Sequence, residues 1–367
     1  MRDGNGRSGL GLGACLEARA RALVLLSLVL DVPLLRAPAV LLTGAPRVET
    51  HEIGGVPVEI ARPAGRGPWP TWVFVSGAHP LRRREPIVRR LIGGLARAGY
   101  LVVAPDPPGL GDGIVTCETL DATTAVVQAA AELPEARDGR VALLGASMGA
   151  GLVLLAAARP GIADRVSVVA AAAPYADISK LVCLATTSCY DDDGSFVPYP
   201  VTGLHRLVVA RSLAGALTDP VGRGRLLAAL ERAELEGPDS LAELASLADG
   251  LGAEAQSVVS LLANSDPGRF REFYDALPER LRSSLAALSP LAVCTGLRVP
   301  VELVVPPNDQ YFPPGEVLAL ARALPTARLT VTGSLDHTRP RASLDRLADF
   351  RRFDAFVVRS LAHAAWS

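Results

Sequence analysis

The segment Gly145-Ala146-Ser147-Met148-Gly149 directly follows the apolar run Val141-Ala142-Leu143-Leu144 and opens a stretch of small residues that favours a helix. A chain that turns sharply from a strand into a helix forces the residue at the apex into strained backbone geometry. Only small residues fit two positions either side of that apex, and the apex side chain is left exposed above the sheet edge. The pattern therefore predicts a strand–turn–helix with Ser147 as a candidate nucleophile; the alternative is an ordinary glycine-rich turn.

Short apolar runs alternate with helix-length segments along most of the chain, after an N-terminal hairpin signal at Gly54-Gly55. Strands that alternate with helices of this length predict a mostly parallel central sheet flanked by helices on both faces. The strands are expected at residues 47–53, 56–61, 70–75, 100–104, 141–144, 166–172, 299–305 and 328–332.

The domain organisation follows from an interruption in this alternation. Few strand-like runs occur at residues 177–288, where helix-start signals recur instead, at Asp219-Pro220, Ser240-Leu241-Ala242-Glu243 and Asp266-Pro267. We expect residues 47–176 and 289–367 to form the α/β core. Residues 177–288 are expected to be a helical cap that acts as a lid, and residues 1–46 a separate N-terminal segment.

Two further residues complete a candidate relay with Ser147. A serine hydroxyl needs a base to accept its proton, and the base needs a group that orients it. His337 follows the last predicted strand and Asp309 follows the strand at residues 299–305, so parallel pairing brings both to the edge that carries Ser147. Asp336 is the rival acid, but an adjacent residue normally points away from its neighbour's ring. The alternatives are an Asx turn at Asp309 and a solvated loop histidine at His337.

We assign structural roles to three other histidines because of their positions in the chain: His51, His205 and His363.

Attack on a carbonyl also develops negative charge on oxygen, which backbone N–H groups can stabilise. Met148, immediately after the nucleophile, is expected to supply one such donor. Ala78, in the loop that Gly77 opens, is expected to supply the other.

Together these positions resemble the α/β-hydrolase family over most of the chain from about residue 71 onward, apart from the insertion. The resemblance rests on the G-A-S-M-G segment, the chain order serine–aspartate–histidine, and the loop from Asp106 to Gly113, which is similar to the family's D-x-P-G-x-G segment. One departure is the oxyanion loop, Ser76-Gly77-Ala78, since the family often has His-Gly there and His79 is displaced.

The resemblance implies an α/β-hydrolase fold with a helical lid and cleavage of carboxylic esters through an acyl-enzyme. In this hypothesis Ser147 attacks, His337 relays the proton and Asp309 holds His337. The alternatives are a lipase, a thioesterase or a peptidase of the same fold, or a non-catalytic hydrolase-like binding protein.

Composition narrows the range of partners. A formal net charge of −1 gives no reason to expect nucleic acid binding. No cofactor or metal is expected, because the sequence lacks a P-loop, a dinucleotide fingerprint and a Cys/His metal spacing. The expected partner is a small-molecule ester or acyl substrate. Among the 5 cysteines, Cys183 and Cys189 are close enough to bridge, although reduced thiols are the favoured interpretation.

The N-terminal segment has an apolar run at residues 22–30 that is preceded by Arg19 and Arg21. The wider apolar stretch to Leu42 is interrupted by Asp31, Pro33, Arg36 and Pro38, so the uninterrupted run is too short for a typical membrane-spanning helix. The alternatives are a helix packed on the domain or lying in a membrane interface, a signal or anchor, and an extension from a mis-assigned start. A cytoplasmic or membrane-associated location with peripheral membrane contact is favoured over secretion.

Overall fold

The strands form one large sheet and two small hairpins. A computed structural model describes residues 12–30, 33–192, 194–233, 240–341 and 347–366. Its strands are β1 (Arg47–Ile53), β2 (Val56–Arg62), β3 (Trp69–Val75), β4 (Leu101–Pro105), β5 (Ala136–Ala146), β6 (Val166–Ala172), β7 (Cys189–Asp192), β8 (Ser195–Pro198), β9 (Val301–Val305), β10 (Ala327–Val331), β11 (Leu335–Asp336) and β12 (Arg339–Pro340).

The large sheet has 8 strands in the order β1-β2-β4-β3-β5-β6-β9-β10. Strand β2 is antiparallel to both of its neighbours, and every later pair is parallel. The mostly parallel central sheet predicted from the sequence is therefore confirmed. Strand β5 is longer than predicted, because Ala136 already pairs with Trp69 before the apolar run begins.

The helices cover both faces of the sheet, as predicted. They are α1 (Leu12–Val29), α2 (Pro33–Thr43), α3 (Pro86–Arg97), α4 (Cys117–Ala131), α5 (Met148–Ala157), α6 (Ile178–Thr187), α7 (Gly203–Gly215), α8 (Pro220–Leu230), α9 (Ala253–Leu262), α10 (Phe270–Asp275), α11 (Glu279–Ala287), α12 (Pro290–Val293), α13 (Pro314–Ala323) and α14 (Leu347–Trp366). Helices α1, α3 and α14 share one buried apolar cluster with one face of the sheet. Helices α4, α5 and α13 share the other.

Helix α3 begins at the proline that follows a short loop. Residues 82–84 form a separate turn of 3-10 helix, and α3 begins at Pro86. The residue before a proline is disfavoured in helical geometry. Glu85 accordingly has an extended backbone, with ψ of 132°.

The segment between β6 and β9 contains helices α6 to α12 and the small hairpin of β7 and β8. The hairpin was not predicted, since its strands are only 4 residues long. Asp219 caps α8 as expected, accepting hydrogen bonds of 3.0 Å from the N–H groups of Val221 and Gly222. The expected α-helix start at Ser240 is wrong, because residues 242–247 form a 3-10 helix. The lid role of this insertion and its boundaries stay predictions.

The N-terminal segment packs through α1 against α3 and α14. The contact with α3 is close, since a Cβ at Gly94 would lie 2.9 Å from Leu25 Cδ1. Arg21 joins α1 to the other elements, with its guanidinium 4.8 Å from the ring centre of Tyr100 and 5.4 Å from that of Trp366. None of the helices in the described parts of the chain is both long and apolar enough to cross a membrane.

Candidate active site

Ser147 stands at the turn between β5 and α5 with φ of 53° and ψ of −124°, a conformation that costs free energy in a non-glycine residue. Its neighbours explain why the chain can adopt it. A Cβ at Gly145 would lie 2.5 Å from Ala150 Cα, and a Cβ at Gly149 would lie 2.3 Å from the carbonyl oxygen of Ser76. Both glycines are therefore required by close backbone approach, and the predicted strand–turn–helix is present.

The structure brings Asp309 and His337 together. His337 Nδ1 lies 2.8 Å from Oδ2 and 3.0 Å from Oδ1 of the Asp309 carboxylate. Oδ1 also accepts hydrogen bonds from the N–H groups of Tyr311, at 2.8 Å, and Phe312, at 3.1 Å. Asp309 thus makes the Asx turn that the sequence offered as an alternative and holds the imidazole with the same carboxylate.

This contact assigns the protons on the imidazole of His337. A carboxylate acceptor beside Nδ1 favours the tautomer in which Nδ1 carries the proton, so Nε2 remains free to accept one. The Asp309 side chain has no exposed surface, whereas that of His337 keeps 11% exposure. The acid is therefore shielded from water while the ring remains accessible.

The backbone and the aromatic neighbours fix the position of the His337 ring. His337 has φ of 53° at the turn between the short strands β11 and β12. The ring of Tyr311 lies 4.5 Å from it, centre to centre, and the ring of Phe312 lies 5.6 Å away. These contacts hold the imidazole in one orientation at the carboxyl edge of the sheet.

The rival acid, Asp336, is directed elsewhere. Its carboxylate pairs with Arg341 at 3.4 Å and accepts a hydrogen bond of 3.4 Å from Gln310 Nε2. The contacts of Asp336 within the described chain include none to the ring of His337. The expectation that adjacent side chains diverge therefore agrees with the structure.

The loop after β3 lies against Ser147. A Cβ at Gly77 would be 3.2 Å from Ser147 Cβ and 3.8 Å from its Oγ, which is tighter than most Cβ contacts, so glycine eases this approach. The next residue, Ala78, lines the same cavity as Ser147. Met148 is the first residue of α5, where backbone N–H groups are not used within the helix. Both expected oxyanion donors therefore adjoin the serine.

A single cavity of about 360 Å³ reaches Ser147, His337, Ala78 and Met148. The described contacts include no hydrogen bond between Ser147 Oγ and the His337 ring. Catalytic hydrogen bonds are often long before substrate binds, so the lack of this hydrogen bond does not argue against a relay between Ser147 and His337.

The insertion supplies two residues near this site that sequence reasoning did not identify as part of it. The Tyr199 hydroxyl donates to the backbone carbonyl of Asp309, and burial raises the pKa of this phenol to about 12. His205 lines the cavity, with its ring centre 5.8 Å from that of Phe312. Burial lowers the pKa of His205 to about 4, so its imidazole is neutral at ordinary pH. Nothing local in the sequence shows where these residues pack.

The other residues noted in the sequence lie away from the site. His51 is exposed on β1, 3.3 Å from the Glu49 carboxylate, and His363 lies in α14. Cys183 and Cys189 are free, and burial raises the pKa of the Cys183 thiol to about 11. In the described ranges, no group of three or more histidine, cysteine or acidic side chains is arranged to hold a metal ion.

Comparisons with known proteins also find hydrolases. Residues 55–190 match the model of the family described as X-Pro dipeptidyl-peptidase (S15 family). No curated protein matches the chain. Among solved structures, the 2,6-dihydroxy-pseudo-oxynicotine hydrolase is 16% identical, with a TM-score of 0.47 over 90% of this chain and 72% of that one.

Two further solved structures are similar to this chain. The proline iminopeptidase of Mycobacterium smegmatis is 17% identical, with a TM-score of 0.45 over 87% of this chain and 99% of that one. The esterase rPPE is 16% identical, with a TM-score of 0.43 over 96% of this chain and 91% of that one. The family match covers the strands and the turn that surround Ser147. With the order of the 8 strands and the strand–turn–helix at this serine, it shows that the chain has the α/β-hydrolase fold.

Proposed function

We propose that this chain is a serine hydrolase that cleaves carboxylic esters. In the first half-reaction, the Ser147 hydroxyl attacks the ester carbonyl carbon while Nε2 of His337 takes the hydroxyl proton. The N–H groups of Ala78 and Met148 stabilise the negative charge that develops on the carbonyl oxygen. The bond to the alcohol oxygen then breaks, and the alcohol leaves with the proton from His337.

The second half-reaction releases the acid. His337 removes a proton from water, whose oxygen attacks the acyl group on Ser147, and the same proton then returns to the serine oxygen. Asp309 keeps the ring in the correct tautomer and stabilises the imidazolium that forms in each half-reaction. The observation that supports this proposal most directly is the 2.8 Å contact from His337 Nδ1 to Asp309, beside a serine in a strained turn.

The wall of the cavity favours an ester over a peptide with a free N-terminus. Such a peptide carries an ammonium group, which a buried site must pair with a carboxylate. Among the described residues that line the cavity, the carboxylates are Glu85 and Asp336. Glu85 already pairs with Arg339 at 2.8 Å and Asp336 with Arg341 at 3.4 Å.

A peptidase remains the second candidate, because the matched family model is that of an X-Pro dipeptidyl-peptidase. Hydrolysis of p-nitrophenyl butyrate and of alanyl-proline p-nitroanilide by the same preparation separates the two. We expect the ester to be cleaved with a kcat/KM at least a hundredfold higher. A reversed preference would favour the peptidase.

Covalent labelling tests the catalytic role of Ser147 itself. We expect a fluorophosphonate probe to label the protein, and Ser147→Ala to abolish labelling and lower kcat by at least about 10³-fold. The matched control is Ser260→Ala, which changes an exposed serine on α9. Undiminished labelling of Ser147→Ala, or no labelling of the unaltered protein, would contradict the proposal.

A further inference from the structure

The cavity at Ser147 continues into the interior of the molecule. Its lining residues form two groups, one from the insertion and one from the layer of α1, α3 and α14. The second group includes Leu25, Leu26 and Val29 of α1, with Leu91 of α3, Phe353 of α14 and Trp72 of β3. We name the space beneath these six side chains the inner arm.

The exposure of central strand residues independently shows that this space is open. Leu144 lies inside the central strand β5, yet it is only half-buried, as are Ala146 and Ala172, the last residues of β5 and β6. All three lie on the face that packs toward α1, α3 and α14. A residue inside a central strand of a covered sheet is normally inaccessible, so Leu144 faces a cavity.

Small side chains on this face explain why the helices do not fill the space. Strand β5 presents Ala142 and Ala146 here, and β6 presents Ala170 and Ala172. Protein interiors are otherwise packed about as densely as organic crystals. A row of alanines opposite these helices leaves a channel beside the strands.

The inner arm is deep enough for an extended alkyl chain. Trp72 pairs in register with Ala142, four residues before Ala146, which places it about 13 Å below the sheet edge. At roughly 1.3 Å of advance for each carbon–carbon bond, that depth accommodates about ten carbons. Five of the six side chains that define the arm are hydrocarbon, and the sixth, Trp72, adds one buried indole N–H with no hydrogen-bond partner in the described chain. A charged chain would therefore lose its hydration along most of the arm without compensation.

The position of His337 decides which half of an ester belongs in this arm. The departing alcohol must face the ring, because it receives its proton from Nε2. That ring is flanked by Tyr311 and Phe312, and Phe312 in turn contacts His205 of the insertion. Ala146, the residue before the nucleophile, lines the cavity on the other side, on the face of α1, α3 and α14.

We infer that the inner arm binds the acyl chain of the substrate, and that the substrates are esters of unbranched saturated acids of about eight to twelve carbons. This inference rests on the proposed ester hydrolysis. Helix α1 is then part of the substrate-binding site, since Leu25, Leu26 and Val29 form one wall of the arm.

Chain-length profiles test the inference. We expect kcat/KM for p-nitrophenyl esters to rise two- to fourfold per methylene group from the acetate to about the decanoate and then to level off. Leu26→Trp fills the arm and should lower kcat/KM for the decanoate at least tenfold more than it lowers kcat/KM for the acetate. Leu23→Trp places the same side chain on the same helix at a position that is 58% exposed, and should leave the profile unchanged.

Two further measurements separate failure of the inference from failure of the proposed function. The Ser147→Ala protein should bind methyl decanoate, and the double variant with Leu26→Trp should bind it at least tenfold more weakly, whether or not the unaltered protein turns esters over. A flat acyl profile would overturn the inference. So would a series of acetate esters in which lengthening the alcohol raises kcat/KM and Leu26→Trp removes that rise.

Discussion

Ser147 can keep its strained conformation because glycines flank it, and their lack of a side chain leaves space for neighbouring backbone atoms. The clearest case is Gly149, where a Cβ would lie 2.3 Å from the carbonyl oxygen of Ser76 and 2.4 Å from that of Val75. Both obstacles are backbone atoms at the end of β3, which cannot rotate away as a side chain can. The glycine is thus required by tertiary contact and not by its own helix.

We therefore predict that Gly149→Ala lowers the free energy of unfolding by about 1–3 kcal/mol, although alanine is the better helix former. It should also lower kcat, because the displaced end of β3 carries Gly77 and Ala78. Urea unfolding and ester hydrolysis measure the two effects. Gly224→Ala on α8 is the control, since a Cβ there meets nothing within 4 Å. Equal stability of Gly149→Ala and the unaltered protein would contradict the prediction.

The buried residue Glu316 has a structural role that the local sequence does not reveal. Glu316 is 1% exposed, and its carboxylate accepts hydrogen bonds from the N–H groups of Ala176, at 2.7 Å, and Asp177, at 2.9 Å. It fixes the loop that leaves β6 for the insertion. An acid in the first turn of a helix is common for reasons of the helix dipole, so the sequence gives no sign of this second role.

Among the described helices, α2 is unusual because it leaves several leucine side chains almost fully exposed. Leu34, Leu41 and Leu42 are 88%, 83% and 85% exposed. The helix is nevertheless held in place, because Arg97 of α3 donates to the carbonyl oxygens of Val40, at 3.1 Å, and Gly44, at 2.6 Å. A fixed helix with exposed leucines is typical of a surface that lies in a membrane interface.

We propose that α2 contacts a lipid surface, which is the peripheral contact expected from the sequence. The triple variant Leu34→Ser, Leu41→Ser, Leu42→Ser should bind vesicles of phosphatidylcholine and phosphatidylglycerol at least about tenfold more weakly in sedimentation. Leu347→Ser, at an exposed leucine of α14, is the control. If the triple variant binds as well as the unaltered protein, or the unaltered protein does not bind, the proposal fails.

At the scale of the whole molecule, the insertion and the sheet share one apolar core. The cluster that contains Leu143 of β5 also contains Leu226 of α8 and Val258 of α9. His205 of α7 is 5% exposed at this junction. Burial chiefly lowers its pKa to about 4, and the charges of Arg206 and His337 act in the same direction.

The unfolded chain takes up a proton at His205 below about pH 6.5, whereas the folded protein resists protonation there until about pH 4. Acidification therefore favours unfolding, and the stability present above pH 6.5 is lost as the pH falls toward 4. We predict that His205 accounts for a loss of roughly 2 kcal/mol in unfolding free energy between pH 7 and pH 5. His205→Phe should remove that share of the loss in urea titrations.

The control is the same comparison between pH 7.5 and pH 8.5, where His205 is neutral in both the folded and the unfolded chain and the two stability curves should run parallel. Parallel stability curves for His205→Phe and the unaltered protein between pH 7 and pH 5 would contradict the assignment.

Features that depend on local sterics and chain order could be predicted from the amino-acid sequence alone. The glycines around Ser147 indicate a strand–turn–helix because the turn excludes larger residues wherever it occurs. The alternation of apolar strands with helices indicates a parallel sheet, and parallel strands bring the loops with Asp309 and His337 to one edge. These inferences need no knowledge of which helix covers which face.

Only the tertiary structure decided what surrounds that edge. The apolar run at residues 22–30 indicates a segment that is buried or lies in a membrane interface, but not that Leu26 lines a channel beside the strands. The contact of His205 with Phe312 and the hydrogen bond from Tyr199 to Asp309 likewise join residues that are more than a hundred positions apart in the chain. The shape of a cavity and the partners of a buried side chain depend on which distant side chains meet. Those neighbours are set only when the helices and strands pack together.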